Sequence, residues 1–342
     1  MSMNYLITGG AGFIGSNYAD RLIQRGDVVT IFDNLSRAGA EKNLDWLRNK
    51  NGENSFQFIQ GDITNIRAID KAALNQNVFV HLAAQVAVTK SVDDPQFDFE
   101  VNAKGTLNVL EAARQNEKKP IVIYASTNKV YGELDDLEIV EKDTRYQLRN
   151  HPLGINESRA LDFHSPYGCS KGAGDQYVRD YFRIYGIPTV VFRQSCIYGT
   201  RQFGIEDQGW VAWFIIAILK NHPITVYGDG KQIRDLLFVE DLMDAYDLAI
   251  SKIDTSKGKI FNIGGGIENA ISIWVEFSKI LEEITGKEIK IKREGWRPGD
   301  QKVYISDITK IEKELGWTPK IDIREGITRL YEWAERNKEL FA

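Results

Sequence analysis

Tyr167 and Lys171 lie four residues apart in Ser165-Pro166-Tyr167-Gly168-Cys169-Ser170-Lys171. Pro166 suits the first turn of a helix, and on a helix positions i and i+4 share a face. A phenol ionises near pH ~10 and is a poor base at neutrality. An ammonium group beside it stabilises the phenolate and lowers that value. A tuned tyrosine can then take the proton from a hydroxyl group while a hydride leaves the carbon that bears it. Thr127 follows the apolar run Ile121–Tyr124. Its hydroxyl can bind the reacting oxygen and relay the proton to Tyr167. Taken singly, each residue is ordinary: a helix often carries a Tyr and a Lys, and a hydroxyl often ends a strand.

A second chemistry-bearing stretch is Tyr5-Leu6-Ile7-Thr8-Gly9-Gly10-Ala11-Gly12-Phe13-Ile14-Gly15. It reads as a short strand, a glycine turn and the start of a helix, the context that turns such a motif into a dinucleotide site. A turn that lets a pyrophosphate approach the backbone cannot carry Cβ atoms there. A helix starting near Gly12 points its N–H groups and positive dipole end at the phosphates. The next apolar run, Val28-Val29-Thr30-Ile31-Phe32, ends in Asp33. A carboxylate at that point holds the ribose hydroxyls and repels a 2′-phosphate, which predicts NAD over NADP. Arg37 lies nearby and leans the other way. The positively charged nicotinamide ring would add to the lowering of the Tyr167 pKa.

The elements that position these groups follow from the pattern. Candidate strands are residues 4–8, 28–33, 56–60, 78–82, 121–126 and 188–193, with amphipathic stretches at 15–25, 65–74, 101–116 and 170–185. Such alternation predicts an α/β fold, a Rossmann-type doubly wound parallel sheet with helices on both faces. Ligands then bind beyond the carboxyl ends of the strands. Asp62, Ala83-Ala84-Gln85 and Ser126-Thr127-Asn128 all fall at such ends. Past residue 193 the alternation loosens and loops lengthen. The expected division is a dinucleotide-binding domain over 1–192, completed by residues 236–264. A smaller C-terminal substrate lobe is then built from 193–235 and 265–342.

Bulk properties exclude several classes. The chain has 342 residues, 43% apolar and 27% charged, with a formal charge of −5. That balance does not suggest nonspecific nucleic-acid binding. The stretch Trp210 to Leu219 is too short to span a bilayer, and the N-terminus runs straight into a strand, so a cytoplasmic protein without membrane association is expected. Cys169 and Cys196 form no CxxC pair and are expected to be buried packing residues. The histidines at 81, 151, 164 and 222 lack metal-ligand spacing, so no metal is expected.

Together, Gly9–Gly15, Asp33-Asn34-Leu35-Ser36, Gly61-Asp62-Ile63, His81-Leu82-Ala83-Ala84, Thr127…Val130-Tyr131-Gly132 and Tyr167…Lys171 resemble the nucleotide-sugar branch of the extended short-chain dehydrogenase/reductase family. Order and spacing match over essentially the whole chain. The resemblance implies NAD as cofactor and Thr127, Tyr167 and Lys171 as catalytic residues. It assigns the cofactor cradle to Gly9, Gly12, Phe13, Ile14 and Gly15, with Asp33, Asn34, Ser36 and Arg37 after the second strand. Asp62 and Ile63, then Leu82, Ala83, Ala84 and Gln85, and finally Asn102, Ser126, Tyr167 and Lys171 complete the implied cofactor contacts.

The 4,6-dehydratases of that family carry an Asp-Glu pair just after the catalytic threonine, where this chain has Asn128 and Lys129. An amide and a lysine cannot supply two carboxylates, which disfavours dehydration. Ser126–Gly132, Leu161–Gly172 and Gly199–Phe203 resemble the branch that epimerises CDP-linked 3,6-dideoxyhexoses at C2. The implied substrate contacts are Gln85, Thr127, Asn128, Cys196, Arg201, Arg234 and Arg297. Arg234 and Arg297 match positions that clamp the substrate diphosphate, for which a guanidinium offers two parallel donors. Cys196 stands where many UDP-sugar relatives have an asparagine that contacts the nucleotide. A UDP-sugar 4-epimerase is the rival enzyme, and a non-catalytic NAD-binding structural or RNA-binding protein the rival of another class. The polar segment 133–163 lacks periodicity and reads as a long loop able to act as a lid. The resemblance implies that the apolar helices over 101–116 and 170–185 pair across a two-fold, giving a homodimer or homotetramer; burial in the core is the alternative.

Overall fold

The computed structural model describes residues 2–341 apart from 287 and 297–299. Strands form where β-branched and aromatic residues run without interruption, as expected of strands buried on both faces. In chain order they begin with β1 (Asn4–Thr8), α1 (Phe13–Arg25), β2 (Val28–Asp33), α2 (Ala40–Asn51) and β3 (Gln57–Gln60). Then come α3 (Ile66–Ala72), β4 (Val78–His81), α4 (Val88–Asp93) and α5 (Pro95–Phe99). After a π-helical turn at Glu100–Lys104 follow α6 (Gly105–Gln115), β5 (Ile121–Thr127) and, further on, α7 (Ser165–Tyr185).

These strands build a seven-stranded sheet in the order Lys259–Ile263, Thr189–Gln194, β5, β4, β1, β2, β3. The pairs β1–β2, β1–β4, β2–β3 and β4–β5 are parallel. Strand order reverses at β1, so a crevice opens between the carboxyl ends of β1 and β4, the place where such sheets take ligands. On one face, Leu6, Phe79 and Val122 pack with Ile69 of α3, Val109 of α6 and Val178 of α7. On the other, Tyr5 meets Tyr18 of α1 edge to face.

The chain forms two compact units. One comprises 1–130, 165–193 and 245–261; the other comprises 131–164, 194–244 and 262–342. This differs from the division expected from sequence. Residues 131–164 belong with the second unit, and the stretch from 236 does not return to the main sheet as one piece. Ile233–Phe238 instead centres a smaller sheet with Cys196–Tyr198, Ala270–Ser272 and Val303–Tyr304, and Val239–Ser251 is helical.

Residues 133–163 are also more ordered than a lid read from composition. They contain the antiparallel hairpin Ile139–Glu141/Tyr146–Leu148. Arg145 donates to both oxygens of Glu276 at 2.7 and 2.6 Å, and Tyr146 to Asp229 at 2.6 Å. The Ile155 N–H donates to the Ile305 carbonyl at 2.8 Å. Those partners lie far away in sequence, which is why the segment looked unsupported. Among the described residues no helix is long and apolar enough to cross a membrane.

Candidate active site

The glycine turn is tight for a visible reason. The Gly9 N–H donates to the Phe32 carbonyl at 2.8 Å, tying the turn to β2. Gly9 has φ +71°, and a Cβ there would lie 2.7 Å from the Ala83 nitrogen. A Cβ at Gly12 would lie 3.1 Å from the Gly9 carbonyl oxygen. Only glycine allows this approach of the β1 turn to the backbone after β4. Gly12 is the N-cap of α1 and supplies no side-chain cap, so the dipole end of α1 is left for a ligand. Phe13 and Ile14 open that helix, and Gly15 sits buried in its first turn.

Asp33 is held beside this turn at the end of β2. Its carboxylate accepts from the Ala11 N–H at 3.0 Å and from the Leu35 N–H at 2.8 Å. Burial pushes its pKa up, and those backbone donors oppose the shift. Asn34 donates to Asp62 at 2.8 Å, and Ser36 donates its N–H to the Asn34 side chain at 3.0 Å. Asp62 also accepts from the Thr64 N–H and hydroxyl, and hydrogen bonds hold its carboxyl below the usual range. Ile63 packs under Gly105, and Arg37 is exposed at the rim. A Cβ-free turn, an uncapped helix end and a fixed carboxylate after β2 fit the pyrophosphate and adenosine ribose of a dinucleotide.

Beyond β4, Leu82, Ala83 and Ala84 line the other side of the turn. His81 is fully enclosed, with Nδ1 2.7 Å from the Thr8 hydroxyl and Nε2 3.0 Å from that of Thr106. Burial pushes its pKa down to about 3, with Lys171 adding to the effect, so it stays neutral. Gln85 and Asn102 do not present their amides as free ligand-binding groups. Gln85 donates to Ala87 and Asp98, both at 2.8 Å, and its N–H donates to the Asn102 side chain at 2.9 Å. Asn102 in turn donates to the Gln85 carbonyl at 2.9 Å. Ser126 likewise turns away, donating to Asp175 at 2.8 Å.

The proposed catalytic trio is assembled within the first unit. Thr127 ends β5, and Tyr167 and Lys171 lie on the first turns of α7. The Tyr167 N–H donates to the Ser91 hydroxyl at 3.1 Å. Lys171 donates to the Ala125 carbonyl at 2.7 Å and sits 4.4 Å over the Tyr124 ring. Burial drives its pKa down to about 7, against the opposing pull of Asp175 and Asp98.

Tyr167 departs from the expectation that the neighbouring ammonium would lower its pKa. Burial pushes it up to about 12; a hydrogen bond with Thr127 pulls it down and Asp98 pushes it further up. Enclosure dominates the shift and favours the protonated phenol.

Other residues predicted from sequence lie in the second unit. Cys196 starts a strand paired with Leu236. Arg201 stacks on Trp333 with its guanidinium 5.4 Å from the ring centre. Arg234 donates to the Ile233 carbonyl at 2.7 Å and to Asp300 at 2.6 Å. Arg297 lies outside the described residues. Asn128 and Lys129 follow Thr127 in a short 3-10 turn. Cys169 is exposed and Cys196 half-buried, so neither is the buried packing residue expected. Among the described residues no group of three His, Cys, Asp or Glu could hold a metal.

Sequence reasoning missed Asp98, which is fully buried one helical turn before Asn102. Its neighbours Phe97 and Phe99 are exposed, so no local pattern marks Asp98 as buried.

Comparison with known proteins agrees with this geometry. The model of the family described as GDP-mannose 4,6 dehydratase matches residues 6–330. The chain is 45% identical to CDP-paratose 2-epimerase of Salmonella typhi, over 97% of this chain and 99% of that protein. The structure of UDP-glucose 4-epimerase from Thermotoga maritima, solved with UDP-glucose, superimposes with a TM-score of 0.82 at 32% identity, covering 98% and 100% of the two chains. DesIV, a dTDP-glucose 4,6-dehydratase from Streptomyces venezuelae solved with NAD and TYD bound, gives a TM-score of 0.84 at 27% identity, covering 98% of each chain.

Proposed function

The chain belongs to the GDP-mannose 4,6 dehydratase family, and from that premise we propose that it is an NAD-dependent epimerase acting at C2 of a CDP-linked 3,6-dideoxyhexose, interconverting CDP-paratose and CDP-tyvelose. That it is a nucleotide-sugar epimerase rests on its full-length relatives. The finer reading rests on the intact Thr127, Tyr167 and Lys171 with Asn128 and Lys129 in place of two carboxylates. The 45% identity to CDP-paratose 2-epimerase supports the substrate.

NAD would lie against the Gly9–Gly15 turn with its adenosine ribose on Asp33, and when bound it supplies a reversible acceptor for the hydrogen of the C2–H bond. Thr127 binds the C2 oxygen by its hydroxyl. Tyr167 takes the proton from that oxygen and later gives it back. In its protonated form, Lys171 offsets the cost of the phenolate. The sugar, as a 2-ketone, must present its opposite face so that the hydrogen is returned to C2 from that side, while Tyr167 gives the proton back to the C2 oxygen. Arg234, and Arg297 beyond the described residues, would hold the diphosphate. For Arg234 this means exchanging Asp300 for phosphate oxygens.

A proton-abstraction route is disfavoured on chemical grounds. C2 of a 3,6-dideoxyhexose has no adjacent carbonyl to acidify its C–H bond. A second copy of the chain is the expected macromolecular partner. Support comes from apolar side chains left open on α5 and α7, among them Phe99, 55% exposed, and Ile184, 65% exposed. The test of the function is turnover of purified protein on CDP-paratose and on UDP-galactose. Inversion at C4 of the latter alone would replace the C2 reading with the 4-epimerase one.

A further inference from the structure

The side chain of Asp98 is fully enclosed on α5. Among the described residues, its three side-chain hydrogen-bond donors are all neutral. Gln85 Nε2 donates to Oδ1 at 2.8 Å, Asn102 Nδ2 donates to the same oxygen at 3.0 Å, and the Ser170 hydroxyl donates to Oδ2. A buried carboxylate is costly unless fully hydrogen-bonded and met by a positive charge. The hydrogen bonds are present, and the carboxylate also acts electrostatically on Lys171, one residue beyond Ser170.

The network ties three pieces of chain together. Gln85 belongs to the loop after β4, which also carries Ala83 and Ala84. Asn102 lies in the π-helical turn before α6 and also donates to the Ser170 oxygen at 3.2 Å. Ser170 lies on α7 between Tyr167 and Lys171. A π-helical turn inside a helix often marks a functional site, and here it lets Asn102 reach both Gln85 and Ser170. We propose that Asp98 is a positioning residue for the reaction: its carboxylate locks Gln85, Asn102 and Ser170 into one buried unit that fixes the first turns of α7, and it acts through space on Lys171. This rests on the reading of Tyr167 as the acid/base.

The electrostatic consequence has a definite sign. Asp98 favours the protonated form of Lys171 and disfavours the phenolate of Tyr167. The other groups that bear on this pair are Asp175 on α7, which is bidentate to Arg193, neutral His81 from β4, and Tyr124 from β5. Removing only the Asp98 charge therefore lowers both pKa values, and both limbs of the pH profile move the same way.

The experiment is the pH profile of kcat for the whole enzyme on whichever of CDP-paratose and UDP-galactose it turns over. Wild type is compared with Asp98→Asn, Ser170→Ala and Tyr167→Phe. In Asp98→Asn the amide keeps the shape, and both inflections are expected to move to lower pH by about one unit. In Ser170→Ala the charge stays and the tether is lost, so the inflections are expected to stay while kcat falls about tenfold. Unmoved inflections in Asp98→Asn, or wild-type kcat in Ser170→Ala, would overturn the proposal; Ser170→Ala decides alone if Asp98→Asn does not fold. An inactive Tyr167→Phe beside unmoved Asp98→Asn inflections sinks this proposal only. An active Tyr167→Phe sinks the acid/base reading and this proposal with it.

Discussion

The ammonium of Lys171 donates to the backbone carbonyl of Ala125 at 2.7 Å. This bond ties α7 to β5 two residues before Thr127, so one cation both fixes the helix that carries Tyr167 and charges the space below it. Replacing it with Met should cost activity through both effects. We expect Lys171→Met to lose turnover by on the order of 10²-fold or more and to bind NAD more weakly, measured by calorimetry on cofactor-stripped protein.

The same substitution has a pH signature in stability. The folded-state pKa of Lys171 is pushed down to about 7 by burial, below its value in an unfolded chain near ~10.4. Between those limits the unfolded state binds the extra proton, so wild-type stability gains from this group as pH rises from about 7. Denaturant unfolding across that range should show wild type gaining up to a few kcal/mol relative to Lys171→Met. Parallel curves for the two proteins would mean that Lys171 is not buried as a strained cation.

Removal of the Tyr167 hydroxyl tests the proton-transfer role by itself. Tyr167→Phe keeps the buried ring and the backbone N–H that donates to Ser91 of α4. The fold and NAD binding should persist while kcat falls by about 10²- to 10⁴-fold. Circular dichroism and cofactor titration on the same sample separate a catalytic loss from an unfolded protein.

Cofactor choice is expected to follow Asp33. Its carboxylate is already oriented by the Ala11 and Leu35 N–H groups, so a 2′-phosphate would face a fixed negative charge. Protein denatured after purification should release NAD, identified by chromatography, and Asp33→Ala should weaken NAD binding without unfolding the chain. Stoichiometric NADP would remove the argument from Asp33.

Much of this site could be read from residue types because it is local in sequence. The β1 turn needs glycine at 9 and 12 for backbone approach, β2 ends on its acidic residue, and the Tyr167–Lys171 spacing is a property of one helix. What could not be read depends on long-range contact. The π-helical turn at Glu100–Lys104 interrupts what looked like one helix over 101–116, and its Asn102 is bonded to Gln85 and Ser170. The short helices α4 and α5, broken by Pro95, have too few turns to show a period. The hairpin at 139–148 is held by Glu276 and Asp229, more than 80 residues away. The upward shift of Tyr167 reflects enclosure, which no local spacing encodes.

The central claim is that the C2 hydrogen leaves and returns without meeting solvent, with Tyr167 handling only the hydroxyl proton. The direct measurement is an NMR time course of CDP-paratose with the purified enzyme in D₂O. The account predicts conversion to CDP-tyvelose with protium retained at C2. Deuterium appearing at C2 would contradict the oxidation-and-return chemistry, and inversion at C4 of UDP-galactose with no action on CDP-paratose would contradict the substrate.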